Sequence, residues 1–175
     1  MPLVVACVLA MVTAASASWG VDLSYICDEP YPLHSVENEN GDAFLTTHQA
    51  EVEFIKEWLG YTYKGVLGRV GLHRNMSSCN APLAPVHRTF NYQTKDHFYT
   101  TDEAHLETAV KHNGYTYELP AGFIALEENQ CPGTTPLYRY VLNEHHFYTL
   151  DKSEGDKLVN SGGKYEGIEG YLWRA

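Results

Sequence analysis

Positive charge is scarce in this sequence. Lys and Arg number 12 against 22 Asp and Glu, for a formal net charge of −10. A chain of that sign repels nucleic acid and anionic membrane surfaces, which excludes both as partners. Metal signatures are lacking too: there is no HExxH and no paired C-x-x-C segment, and a zinc site needs three or four converging ligands. A hydrolase needs one asymmetric set of groups with tuned proton affinities. Asp96 with Glu118, or Ser24 near a histidine, stand out no more than the other carboxylates and hydroxyls. The expectation is a protein with no catalytic residues, no metal and no cofactor.

Long apolar runs are absent after the N-terminus. The one such run, Leu3 to Val12, is too short to span a bilayer. No charged side chain occurs in residues 1–17, and Ala15-Ser16-Ala17 matches an A-x-A cleavage site. This pattern predicts a secretory signal peptide over 1–17 and a single secreted, extracellular domain over 18–175. Cysteine is also sparse. Cys7 falls in the predicted leader, leaving Cys27, Cys79 and Cys131, separated by 52 and 52 residues. In an oxidising compartment an odd count leaves one thiol over. The expectation is one internal bond and a spare thiol, with disulfide-linked oligomers as the alternative. Asn75-Met76-Ser77 is a glycosylation sequon, and Asn75 its acceptor.

What is abundant is repetition. "DAFLTT" at Asp42, "DHFYTT" at Asp96 and "HHFYTL" at His145 are versions of one segment. Equal cysteine spacing extends the alignment to repeats of about 50 residues, approximately 27–78, 79–130 and 131–175. Each holds a Pro-led alternating segment (Pro32, Pro85, Pro136), then Phe44, Phe98 or Phe147 in an F-x-T core. A polar-apolar stretch ending in Gly60, Gly114 or Gly162 follows, then an aromatic strand and a further strand after Gly68, Gly122 or Gly170. Short β-branched and aromatic runs bounded by turn formers read as strands. The stretch before the first glycine reads as a short helix, with Ala50, Phe54, Ile55, Trp58 and Leu59 near helical spacing. Asp151 and Glu154 form a capping-box pattern in the third copy. Four strands in each of three copies predicts an all-β fold with short helices, β-trefoil-like, in which three pseudo-symmetric repeats close one barrel. A three-bladed, propeller-like closure is the competing shape.

The string Y-R-x-x-N, D-H-F-Y-T-T, E-x-x-x-A and G-Y-x-Y-E-G-I-x-G-Y resembles a tandem repeat of secreted bacterial and fungal proteins, a domain of unknown function. It resembles a module found alone and appended to lysozyme-type cell-wall hydrolases. The resemblance covers nearly the whole predicted mature chain and is weakest in the first copy, where "LHS" stands for "YR" and "DAFLTT" for "DHFYTT". It implies a carbohydrate- or wall-binding module.

The residues point the same way. Sugars are held by carboxylate, amide or imidazole hydrogen bonds and by an aromatic face against the ring. Each copy places acids beside aromatics, and repeated weak sites gain by avidity. The ligand-binding candidates are Asp96, His97, Tyr92 and Tyr99 in the second copy, and Glu144, His145, His146 and Tyr140 in the third. Phe44, Phe98 and Phe147 are expected in the core, Tyr63, Tyr117 and Tyr165 as scaffold, and Arg88 and Arg139 paired with Glu118 and Glu166. The functional expectation is a secreted, lectin-like glycan-binding protein acting at extracellular or microbial surfaces. The alternatives are a cysteine-linked matrix or secretion-fluid protein, and a protease inhibitor presenting the loop "NMSSCNAPLAP".

Overall fold

The Pro-led and F-x-T segments pair as hairpins, because both alternate with a strand's two-residue period and turn formers lie between them. A computed structural model describes residues 28–175; the predicted leader and Cys27 lie outside the described residues. Strands β1 (Tyr31–Glu37) and β2 (Ala43–Thr46) form the first hairpin, helix α1 (Gln49–Trp58) follows, and β3 (Thr62–Val70) returns beside β1. The same order recurs in β4 (Ala84–Asn91), β5 (Asp96–Thr100), α2 (Glu103–His112) and β6 (Tyr115–Ile124). It recurs again in β7 (Thr134–Leu142), β8 (His145–Thr149), α3 (Lys152–Asn160) and β9 (Lys164–Trp173).

The protein is therefore mostly β with three short helices, but each unit holds three strands where the sequence suggested four. The expected third and fourth strands are one long strand. Its pairing slips twice, between Leu33 and His34 and between Ser35 and Val36 in the first unit, with matching slips in the other two. The glycines that suggested a turn instead let the strand bulge and keep going.

A six-stranded sheet, ordered β2-β1-β3-β9-β7-β8, curls into a half-barrel, and β5-β4-β6 forms a second sheet. The ends of the long strands meet in sequence. Arg69 pairs with Trp173, Gly71 with Phe123, and Ala125 with Tyr171. Gly170 is required at one of these meetings, since its φ is +149° and a Cβ there would collide with the Ala125 carbonyl.

The main core draws on all three units: Leu33, Leu45, Val70, Val86, Tyr99, Ile124, Leu137, Tyr148 and Leu172 are all buried in it. Burying each aliphatic side chain contributes about 1.5–3 kcal/mol. A second cluster of Val36, Phe44, Val52 and Ile55 lies under α1. Helix α1 turns fewer apolar residues inward than its spacing predicts. Ile55 is buried, whereas Ala50, Phe54, Trp58 and Leu59 face outward. The helix ends follow the sequence more closely. Asp102 accepts from the Ala104 and His105 amides, and Asp151 from that of Ser153. The capping box of α3 is half formed, because Glu154 accepts from Thr149 Oγ1 at 2.6 Å and does not reach the Asp151 amide. Gly60, Gly114 and Gly162 follow the three helices with positive φ, as expected. No helix among the described residues is long and apolar enough to cross a membrane.

Cys79 and Cys131 form the expected internal disulfide, with Cα atoms 4.3 Å apart at a sequence separation of 52. It closes the third cluster, Met76, Leu83, Ala125 and Cys131. Loop-closure entropy for that span corresponds to about 4 kcal/mol. Replacing both cysteines by Ser should lower unfolding stability by that order in denaturant titrations, and reductant should then have no further effect through this bond. A double variant as stable as the oxidised parent would contradict this role.

Candidate functional site

The hairpin turns before β2 and β5 each end in a buried carboxylate. Asp42 and Asp96 are both 0% exposed. Neither finds its partners in its own hairpin. Asp42 accepts from the His97 amide at 2.6 Å and from His97 Nδ1 at 2.8 Å, and also from the Tyr61 hydroxyl. Asp96 repeats this one unit later, accepting from the His146 amide at 2.8 Å, His146 Nδ1 at 2.6 Å and Tyr115 Oη at 2.6 Å. A carboxylate only accepts, so each imidazole carries its proton on Nδ1. The acid of one unit thus clasps the histidine of the next.

A second contact runs the same way. The Tyr99 hydroxyl accepts from the Leu45 amide at 2.7 Å, and Tyr148 Oη accepts from the Tyr99 amide at 2.8 Å. Burial pushes both phenols well above their ordinary proton affinity. A third contact is ionic. The Arg88 guanidinium lies 4.4 Å from the centre of the Phe44 ring and that of Arg139 lies 4.9 Å from Phe98. Arg88 Nε donates to Glu118 at 2.7 Å and Nη2 to Glu51 at 3.3 Å. Arg139 Nε donates to Glu166 at 3.0 Å, and its Nη1 lies 2.5 Å from Glu169. The expected pairs of Arg88 with Glu118 and Arg139 with Glu166 are present. Burial opposes the charge on Glu51, but Arg88 and the Thr46 hydroxyl outweigh it and hold its carboxyl below the usual range.

The third junction, from the last unit back to the first, keeps the ring as Phe147 and the Glu51 counterpart as Glu154 but has no Asp–His–Tyr clasp, no hydroxyl of a buried Tyr and no Arg. His145 stands where the other units carry Asp, Gly163 where they carry Tyr61 and Tyr115, and Ala43 where the next unit would offer His. Ser35 takes the place of Arg88 and Arg139, and Leu45 that of Tyr99 and Tyr148. His145 Nδ1 is left without a hydrogen bond, 3.9 Å from Asp96.

A cleft opens at each junction. The first, 480 Å³, lies between α1 and the second unit, with Glu51, Arg88, His97 and Glu118 inside it and Phe54, Leu59, Tyr61 and Tyr92 around them. Phe54 and Tyr92 are 56% and 63% exposed. The second is 280 Å³, with Phe98, Tyr115, Arg139, His146 and Glu166 among its walls. The third is the largest at 710 Å³ and contains Ser35, Lys64, Phe147 and Glu154.

The sequence candidates are thus divided. Asp96, His97, Tyr99 and Tyr140 are buried, and the first three join units. The Tyr140 ring packs where a Cβ on Gly155 of α3 would lie. His146 is half-buried at the second cleft, Glu144 sits in the β7–β8 turn with φ +67°, and His145 lies at the third junction. Tyr92 is the candidate that faces solvent beside a cleft. Phe44 and Phe98 are buried as expected, while Phe147 is half-buried. Tyr63 and Tyr117, about two-fifths exposed, hydrogen-bond to the His34 and His87 rings, and Tyr165, exposed to the same degree, packs against Tyr138 and Tyr140. Phe54, outward on α1, was missed because helical spacing assigned it to the core. Asn75 is exposed on the loop before Cys79. Among the described residues no three His, Cys, Asp or Glu side chains converge as a metal set.

Two outcomes follow from the clasps. Asp96→Ala leaves the His146 imidazole and the Tyr115 hydroxyl without their acceptor, and should destabilise the fold by about 3 kcal/mol in chemical denaturation. A loss no larger than that of an exposed Asp variant would show that the clasp contributes little. Burial first, and then hydrogen bonding to Asp42 and Asp96, push the Tyr61 and Tyr115 phenols far above their ordinary range. Their folded values exceed the unfolded one, so this stabilisation is complete below about pH 10 and is lost as pH rises past it. The double variant Tyr61→Phe, Tyr115→Phe should flatten the alkaline limb of the stability curve; an unchanged limb would refute the assignment.

Comparison with known proteins identifies a family but assigns no activity. No curated protein and no solved structure matches the chain. The sequence profile of one family, described as a domain of unknown function, DUF5648, matches residues 32–173. That span runs from the second residue of β1 to the last of β9, and the chain belongs to the DUF5648 family.

Proposed function

We propose that this protein is a secreted, non-enzymatic glycan-binding module of β-trefoil-like, pseudo-threefold design, and that the first cleft is its principal site. The observation that carries the reading is the pair of exposed rings, Phe54 and Tyr92, on either side of a charged floor. Sugar rings present an apolar face to aromatic side chains and hydroxyls to carboxylates. Glu51 and Glu118 supply acceptors, and Arg88, held between them, supplies donors at a fixed position. The 480 Å³ volume is within the range of small-ligand sites, about 300–1,000 Å³. Binding at the second cleft is weaker in this reading, because it is smaller and its counterpart of Phe54 is Thr108.

Extracellular action is supported by the internal disulfide, which persists in oxidising compartments. The exposed Asn75 sequon is available to glycosylation in a secretory route. The acidic surface disfavours anionic membranes, and the resemblance to wall-associated modules supports a partner among cell-surface or matrix glycans.

A glycan array should return a defined set of binders above background. Phe54→Ala or Tyr92→Ala should weaken the best binder about tenfold while leaving the thermal unfolding midpoint unchanged. An empty array, or binders insensitive to both substitutions, would overturn this assignment.

A further inference from the structure

Two of the three junctions hold a guanidinium over the preceding unit's phenylalanine ring, and among the described residues the third holds none over its ring. Arg88 lies over Phe44 and Arg139 over Phe98, each arriving from the following unit. At the third junction the ring is present as Phe147, but the position that should send the arginine is Ser35. Both residues line the largest of the three clefts, 710 Å³ against 480 and 280 Å³. Phe147 is correspondingly less buried than Phe44 and Phe98. The carboxylate that meets Arg88 from α1, Glu51, has its counterpart in Glu154 of α3. Glu154 is fixed the same way, accepting from Thr149 Oγ1 as Glu51 accepts from Thr46 Oγ1.

We propose that the third cleft binds a guanidinium supplied from outside, the arginine side chain of a partner polypeptide, in the place that Arg88 and Arg139 fill at the other two junctions. The ring face of Phe147 attracts the cation, and Glu154 accepts its N–H groups in a charge-assisted bond. Glu37 and Asp151 add negative charge around the cleft. The protein's own Arg174 also lines this cleft, but its guanidinium donates to Thr135 Oγ1 at 3.4 Å and does not lie over Phe147.

The cleft also limits what accompanies the arginine. Where the other junctions carry Glu118 and Glu166, this one carries Lys64, 3.6 Å from Glu37. Lys64 and Arg174 disfavour a run of basic residues and favour an arginine next to a carboxylate. The net charge of −10 raises the encounter rate with a cationic group overall, while this local pair selects among cations. The site is distinct from the aromatic cleft, so Phe54→Ala and Tyr92→Ala leave it intact and the two assignments fail or stand separately.

The test is an NMR titration of the isotope-labelled protein with Nα-acetyl-arginine, against Nα-acetyl-lysine and the uncharged isostere Nα-acetyl-citrulline. Nα-acetyl-arginine should shift the Ser35 and Phe147 resonances saturably, and the citrulline analogue should bind at least about tenfold more weakly. Ser35→Arg should fill the cleft from within and abolish the titration. Should that variant fold poorly, Glu154→Gln serves instead and should weaken binding about tenfold. No saturable shift with Nα-acetyl-arginine, equal binding of the citrulline analogue, or shifts unaffected by Glu154→Gln would each overturn the proposal. So would an oligosaccharide that competes at Ser35 and Phe147 while arginine does not.

Discussion

A buried carboxylate whose main partners lie in the next unit decides how this protein is assembled. Asp42 and Asp96 are fully removed from water, and a charge in that position is costly unless hydrogen-bonded. Their main partners, the amide and imidazole of His97 and His146, belong to the following unit. No unit can bury its acid until its neighbour docks. The apolar side chains obey the same rule, since the main core takes residues from all three units and each alone is too small to cover its own. Docking and core formation are therefore one event, and the "DHFYTT" segment is chiefly the instrument of that event.

The same geometry explains where a ligand can go. Each clasp draws a hairpin of one unit against the next, and the helix between the strands overhangs the seam. Arg88 and Arg139 enter the seam with their charge already balanced by Glu51, Glu118, Glu166 and Glu169. What remains toward solvent is the rim. At the first junction it carries Phe54 and Tyr92, both more than half exposed, with the Tyr92 ring edge-on to Phe90.

Much of this architecture could be read from residues. The helices, their terminal glycines and the Arg–Glu pairs follow local rules that act over a few residues or across one strand pair. Three things could not be read. The long strand was divided because Gly68, Gly122 and Gly170 look like turn formers, and only the pairing shows that the backbone slips and continues. Asp96, His97 and His146 looked like a ligand set, because a partner about 50 residues away in the next copy leaves no mark in local spacing. Phe54 and Ile55 are adjacent on an amphipathic pattern, and which of the two faces the core depends on the tilt of α1 against Val36 and Phe44.

The third junction shows what the clasps are for by lacking them. There His145, Gly163, Ala43, Ser35 and Leu45 replace the Asp, Tyr, His, Arg and second Tyr that tie the other units together. The junction nevertheless holds. Arg69 of β3 pairs with Trp173 of β9, which places the first and last units in one six-stranded sheet, and Val70 and Leu172 share the buried core beside them. The other two junctions rest on isolated backbone bridges, Gly71 with Phe123 and Ala125 with Tyr171, and it is these that carry the Asp–His–Tyr clasps. Once the sheet joins the ends of the chain, the side chains at that seam are no longer needed to close the structure. The seam without the clasps is also the one with the largest of the three clefts.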